Sequence, residues 1–169
     1  MELFELFISP FAAARWTWSI QNPKMWIGYF TVSEKDYKVE INGVSYGASK
    51  DRFRKPSPEV FSKIFENTED DTIYNVTFGI ITKTDKAEWM STSPILSSTT
   101  SDNVIVLTTV IHMVNEFAHH INPKAIGVWP SHWKLKNVYK GMFSRVFKGW
   151  KQIPATHDFS DGFLVVPNY

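Results

Sequence analysis

The sequence predicts a single α+β domain over residues 1–169, with a curved, mostly antiparallel sheet packed by two main helices. Three observations predict it. Short β-rich segments separated by turn residues fill the N-terminal half. Two long stretches with apolar residues three and four apart occupy the C-terminal half. Near-continuous apolar runs flank those stretches, so this half reads strand, helix, strand, helix, strand.

Each element has its own signal. Trp16–Asn42 reads as strands, with Trp26–Val32 and Tyr37–Ile41 either side of a polar turn at Ser33–Asp36. Asn42 and Gly43 mark a tight turn. Tyr46–Ser57 is a loop of alternating charge ending at Pro56 and Pro58. Ser57 caps a short helix over Pro58–Glu66, because proline suits a first helical turn. Glu69, Asp70 and Asp71 form a solvated acidic turn. Ile73–Thr82 alternates and is a strand, and Trp89–Ser98 is a weaker one. Asp102 caps the strongest helix, which runs to Ile121 ahead of Pro123. Its apolar stripe is Leu107, Val110, Ile111, Val114, Phe117, Ala118 and Ile121. Ala125–Trp129 is a buried strand, Ser131–Lys148 a second helix ending near Gly149, and Gly162–Val166 the last strand.

Composition removes several kinds of chemistry. There are no cysteines, which excludes disulfides, zinc–thiolate sites and thiol nucleophiles and favours a reducing compartment. No apolar run approaches a membrane span, and Met1–Ile8 carries Glu2 and Glu5 without a basic residue, unlike a signal peptide. A net charge of +1 argues against binding a polyanion with the whole surface. Aromatic residues make up 15% of the chain, with seven tryptophans, more than a core needs, so some rings are candidates for a partner surface.

Candidate sites were weighed on residue type and spacing. His112, Glu116, His119 and His120 gather on the helix face opposite the apolar stripe, but His-Glu-x-x-His spacing is absent, and they read as a solvated polar face. There is no Gly-x-Ser-x-Gly elbow, phosphate loop or dinucleotide fingerprint. From Ser131 to Gln152 every charge is basic, with rings interleaved. The segment reads as a solvated helix face balanced by the acids of Glu59–Asp71, or else as a binding surface of Trp133, Lys134, Lys136, Lys140, Lys148, Trp150 and Lys151, for an acidic protein first and for nucleic acid second.

A resemblance covers most of the chain in outline. Its residues are Leu3, Phe4, Glu5 and Trp16, then Ser98, Thr99, Thr100, Ser101 and Asp102, then Thr109 and Val110. Pro123 with Ile126 follows, then Val138, Tyr139, Met142 and Arg145. This order resembles a family of small tailed-bacteriophage proteins without a settled activity. The resemblance implies a non-catalytic protein that binds a phage structural protein or a host protein, within an assembly, in the virion or the host cytoplasm. The same half resembles the acetyl-CoA-binding half of GNAT-type acetyltransferases, where a helix N-terminus holds the pyrophosphate. Ser98–Asp102 stands where that loop would be. It has no glycine, and Asp102 puts negative charge where a phosphate would sit, so the expectation is this topology without a bound cofactor.

Overall fold

Two short hairpin turns, each set by local chemistry, start the sheet. In the computed structural model the described residues are 13–66, 71–83, 88–91, 100–130 and 133–167, with side chains described at all of these except 83, 88–91, 100, 133 and 134. Strands β1 (Trp16–Asn22), β2 (Met25–Val32) and β3 (Lys35–Ser45) form an antiparallel meander. Asn22 Oδ1 accepts the backbone N–H groups of Lys24 (3.0 Å) and Met25 (2.9 Å), closing the first turn. Ser33 and Glu34 both take positive φ, 49° and 66°, the left-handed pair whose twist suits a two-residue hairpin.

The tight turn expected at Asn42-Gly43 is not formed. Both residues continue β3, opposite Asn75 and Tyr74. Glycine is required there for close approach rather than for a turn: its N–H donates to the Lys24 carbonyl at 2.7 Å, and a Cβ would stand 2.8 Å from Thr72 Cγ2. The charged loop that follows carries more structure than its sequence suggests. It holds helix α1 (Tyr46–Ser49), a 3₁₀ turn (Lys50–Arg52) and strand β4 (Phe53–Lys55). Helix α2 (Pro58–Ile64) starts with proline in its first turn, but the Ser57 side chain makes no capping bond.

The remaining elements are β5 (Thr72–Lys83), β6 (Glu88–Ser91), α3 (Thr100–Ile121), β7 (Ile126–Val128), α4 (Trp133–Val146), β8 (Lys151–His157) and β9 (Ser160–Val166). Strand order is β1-β2-β3-β5-β7-β9-β8-β4, with β6 also paired to β5. Among the described residues only β5 and β7 pair in parallel; the other ladders are antiparallel. The fold is thus α+β with a mostly antiparallel sheet. Among the described residues its ladder ends in two different strands, β1 and β4, so the sheet is open and uncurled. The strand order does not by itself establish an acetyltransferase-like topology.

The sheet is packed on both faces. Tyr37, Val39 and Ile41 of β3 and Phe163 and Val165 of β9 point to the face carrying α3 and α4. Leu164 and Val166 point the other way, onto Tyr46, Phe61, Ile64 and Phe65 from the α1–α2 segment. Burial on both sides explains why Phe163–Val166 is an unbroken apolar run. Gly162 begins that run. A Cβ there would lie 2.2 Å from the Val128 carbonyl oxygen and 2.6 Å from Trp129 Cε3, so no larger residue lets β9 pass β7.

Helix α3 is enclosed more fully than one apolar stripe requires. Leu107, Val110, Ile111, Val114, Phe117 and Ala118 are buried as expected, but so are Val106, Thr108, Thr109 and Met113. Asp102 is not the cap, because the helix starts at Thr100. The sequence reading also found no span-length apolar run. Ser101–Ile121 does meet that length and composition, and most of it is buried inside the fold.

Candidate functional site

The site begins with an interruption in the ladder. One edge of β5 pairs with β3 from Thr72 to Ile80. The other edge is shared: Tyr74–Val76 pairs with β7, and Ile80–Lys83 pairs with β6. Thr77, Phe78 and Gly79 lie between, an interval of about 10 Å at the usual rise per residue. Tyr74 N–H donates to the Ala125 carbonyl (3.2 Å), so the backbone groups of Tyr74 point to this second edge. Alternate residues of a strand share an edge, so those of Val76, Phe78 and Ile80 point there too. Val76 is in register with β7 and Ile80 with β6. Phe78 alone presents its N–H and C=O to the interval without a strand partner among the described residues.

Behind the interval lies a cavity of about 80 Å³. Val76, Phe78, Leu107, Ile111, Val128 and Met142 are among its walls, drawn from β5, β7, α3 and α4. A cavity of roughly 150 Å³ holds a benzene ring. This one suits a linear chain of a few atoms. Tyr139 also lines it, with its ring centroid 6.0 Å from that of Phe78. Burial pushes the Tyr139 phenol well above its ordinary pKa, so it stays a proton donor across the working pH range. At the mouth Trp129 is fixed by its Nε1–H, which donates to Asn75 Oδ1 at 2.8 Å. Asp102, in the first turn of α3, accepts a bond from Ser33 Oγ at 2.9 Å. Ser33 belongs to the β2–β3 turn.

Lys136 is paired with Asp161 at 2.7 Å. The Lys140 carbonyl accepts from Gln152 Nε2 at 2.7 Å. Trp150 is half-buried, edge-on to Phe147 at 4.9 Å. Lys148 and Lys151 are exposed. The side chains of Trp133 and Lys134 lie outside the described residues, as do Ser98 and Thr99. Thr100, Ser101 and Asp102 form the first turn of α3. Glu69 and Asp70 also fall outside, but Asp71 is not a solvated turn residue. It is buried and paired with Lys124 at 2.9 Å.

The supposed solvated face of α3 is partly covered by β1. Glu116 Oε2 accepts the indole N–H groups of both Trp16 (2.8 Å) and Trp18 (3.0 Å). His112 Nε2 is buried without a hydrogen-bond partner. His119 Nδ1 is bonded to the Asn115 carbonyl (2.8 Å), and His120 packs on Trp26, their centroids 5.6 Å apart. Burial holds His112 below the ordinary histidine range, and burial also lowers His157, partly offset by Asp158. The unfolded chain therefore takes up protons on these two residues before the fold does. Stability should be flat above about pH 6.5 and fall as pH drops below it. Urea midpoints at pH 8 and pH 5.5 measure this, and His112→Gln should flatten the difference.

No family model, curated protein or solved structure matches this chain.

Proposed function

We propose that the chain is a binding protein of acetyltransferase-like type, whose β5/β7 cleft takes an extended, neutral, amide-bearing chain such as the pantetheine arm of an acyl thioester. One observation carries this reading: among the described residues Phe78 has no strand partner in the interval between β6 and β7, and it lines an apolar cavity there. An amide in an extended ligand satisfies the N–H and C=O of Phe78, as an added strand would, while its methylenes occupy the walls. The interval admits one backbone residue, which suits a thin arm better than a whole peptide strand. Tyr139, which also lines the cavity and stays protonated, can offer a hydrogen bond to the bound arm. Asp102 at the first turn of α3 opposes phosphates, so the nucleotide portion of a coenzyme gains nothing from that helix end.

Calorimetry with pantetheine and with acetyl-CoA tests the reading. Both are expected to bind with similar affinity, and Leu107→Phe, which fills the cavity, should weaken both about 10-fold or more while circular dichroism shows a folded domain. Asp102→Asn should raise acetyl-CoA affinity about 2- to 5-fold and leave pantetheine unchanged. No binding of either compound at millimolar concentration would sink the reading.

A second reading is a non-catalytic phage-encoded protein that acts by binding other proteins, as a head or tail component or as a host-directed factor. The observation favouring it is Phe159, which is 98% exposed. Mass spectrometry of purified virions separates the two roles. No observation raises the nucleic-acid reading, since Lys136 is held by Asp161 and Trp150 packs on Phe147.

A further inference from the structure

The β8–β9 hairpin turns through Asp158 and Phe159, with His157 opposite Ser160. Asp158 takes a φ of 51°, the left-handed conformation a short turn needs. The turn is braced from β4 and its approach. Asp158 N–H donates to the Arg52 carbonyl at 2.8 Å, and Arg52 Nε donates to Asp158 Oδ2 at 2.9 Å. The His157 ring stands 4.7 Å from Phe53 and 5.7 Å from Trp129. This frame holds Phe159 out in water. Turn tips favour small polar residues, and a phenyl ring at one adds no burial to the fold.

The surroundings are positive. Arg52 and Lys136 are engaged by Asp158 and Asp161. Arg54 and Lys55 on β4 are exposed and have no ion-pair partner among the described residues. The bond from Arg52 holds the Asp158 carboxyl below its ordinary range, and the charge of Arg54 adds to this. The bond from Lys136 does the same for Asp161, with Lys55 adding. Both acids are thus neutralised, and the field around the ring is set by the remaining cations.

We propose that Phe159, with Arg54 and Lys55 on the adjoining strand β4, is a protein-docking knob whose partner offers an apolar socket rimmed by carboxylates. The ring supplies the anchor, and the cations supply steering and orientation. A single-stranded nucleic acid is the poorer fit. It calls for a groove with successive stacking rings, whereas here one ring stands at a hairpin tip. The surface is separate from the cleft and gives the protein-binding reading its contact, so the two proposals stand or fall independently.

The test is to pan a displayed library of random 12-residue peptides on the full chain, with Phe159→Ala as the counter-selection target. Peptides carrying both acidic and large apolar residues are expected to be enriched. In fluorescence anisotropy, synthetic copies should bind Phe159→Ala about 10-fold or more weakly than the unaltered chain. Arg54→Glu/Lys55→Glu should weaken them similarly and remove the salt dependence. Circular dichroism and urea midpoints serve as controls that the fold is intact. Equal binding to Phe159→Ala, absence of acidic enrichment, or tighter binding of a thymidine 20-mer than of any peptide would each overturn the proposal.

Discussion

Phe117→Ala should lower the unfolding free energy by about 3–5 kcal/mol, the range for removing a fully enclosed ring. Phe117 is wholly buried on α3. It meets the Trp26 ring of β2 edge-on at 5.4 Å and the Tyr74 ring of β5 at 5.0 Å. Such contacts add about 0.5–1.5 kcal/mol each beyond area burial. The neighbours cannot easily collapse into the space left behind. Tyr74 is tied by its hydroxyl to the Pro23 carbonyl at 2.7 Å, and Trp26 is wedged against Trp18 at 4.9 Å. A cavity that stays open puts the cost toward the upper end of the range. Urea denaturation of the variant measures it, and Phe159→Ala is the matched control. That ring is 98% exposed, so its removal should change stability by no more than about 0.5 kcal/mol. A cost below about 1 kcal/mol for Phe117→Ala would mean that α3 does not clamp the sheet as described.

The parts of the fold legible in the sequence are those where one periodicity prevails. The alternation of Ile73–Thr82, the helical stripe from Leu107 and the apolar run at Ala125–Trp129 each report one burial pattern, and each became the expected element. Strand β8 escaped because Pro154 and its basic start disguise it, although both of its edges are paired, with β9 and with β4. The polar face of α3 was misread for a different reason. A helical wheel separates apolar from polar residues, but it cannot show that β1 crosses the polar side and brings two indoles to Glu116. A count of charge along the basic segment does not show the acid that pairs with Lys136, which lies 25 residues further on. The cleft was not legible at all. Phe78 looks like any inward strand residue, and what distinguishes it is the interval between β6 and β7, a relation among three strands. Phe159 carried a signal that went unused, a large ring beside an aspartate in a short turn.

Glu116 carries the second large effect, because one carboxylate oxygen organises the edge of the sheet. Trp16 lies opposite Phe30 and Trp18 opposite Gly28, so both indoles face α3 and meet at Glu116 Oε2. Hydrogen bonds to a charged acceptor contribute more than neutral ones, and a buried donor left without a partner costs about 1–3 kcal/mol. Both indoles are only half-buried, so water recovers part of that loss, and Glu116→Ala should destabilise the domain by about 1–3 kcal/mol in total. Glu116→Gln keeps an acceptor oxygen but not the charge and should lose about half as much. A structural role shared with the tryptophans has a further signature. In a background with Trp16→Phe and Trp18→Phe, the alanine substitution should cost little more, because the donors it would strand are gone. Amide hydrogen exchange gives the local readout. Among the described residues β1 ends the ladder and pairs with β2 alone, so loss of its anchor on α3 should speed exchange from Trp16 to Asn22 before the centre of the sheet responds. If Glu116→Ala instead costs under about 0.5 kcal/mol, as for an ordinary exposed acid, the indole–carboxylate contacts do not hold β1 in place.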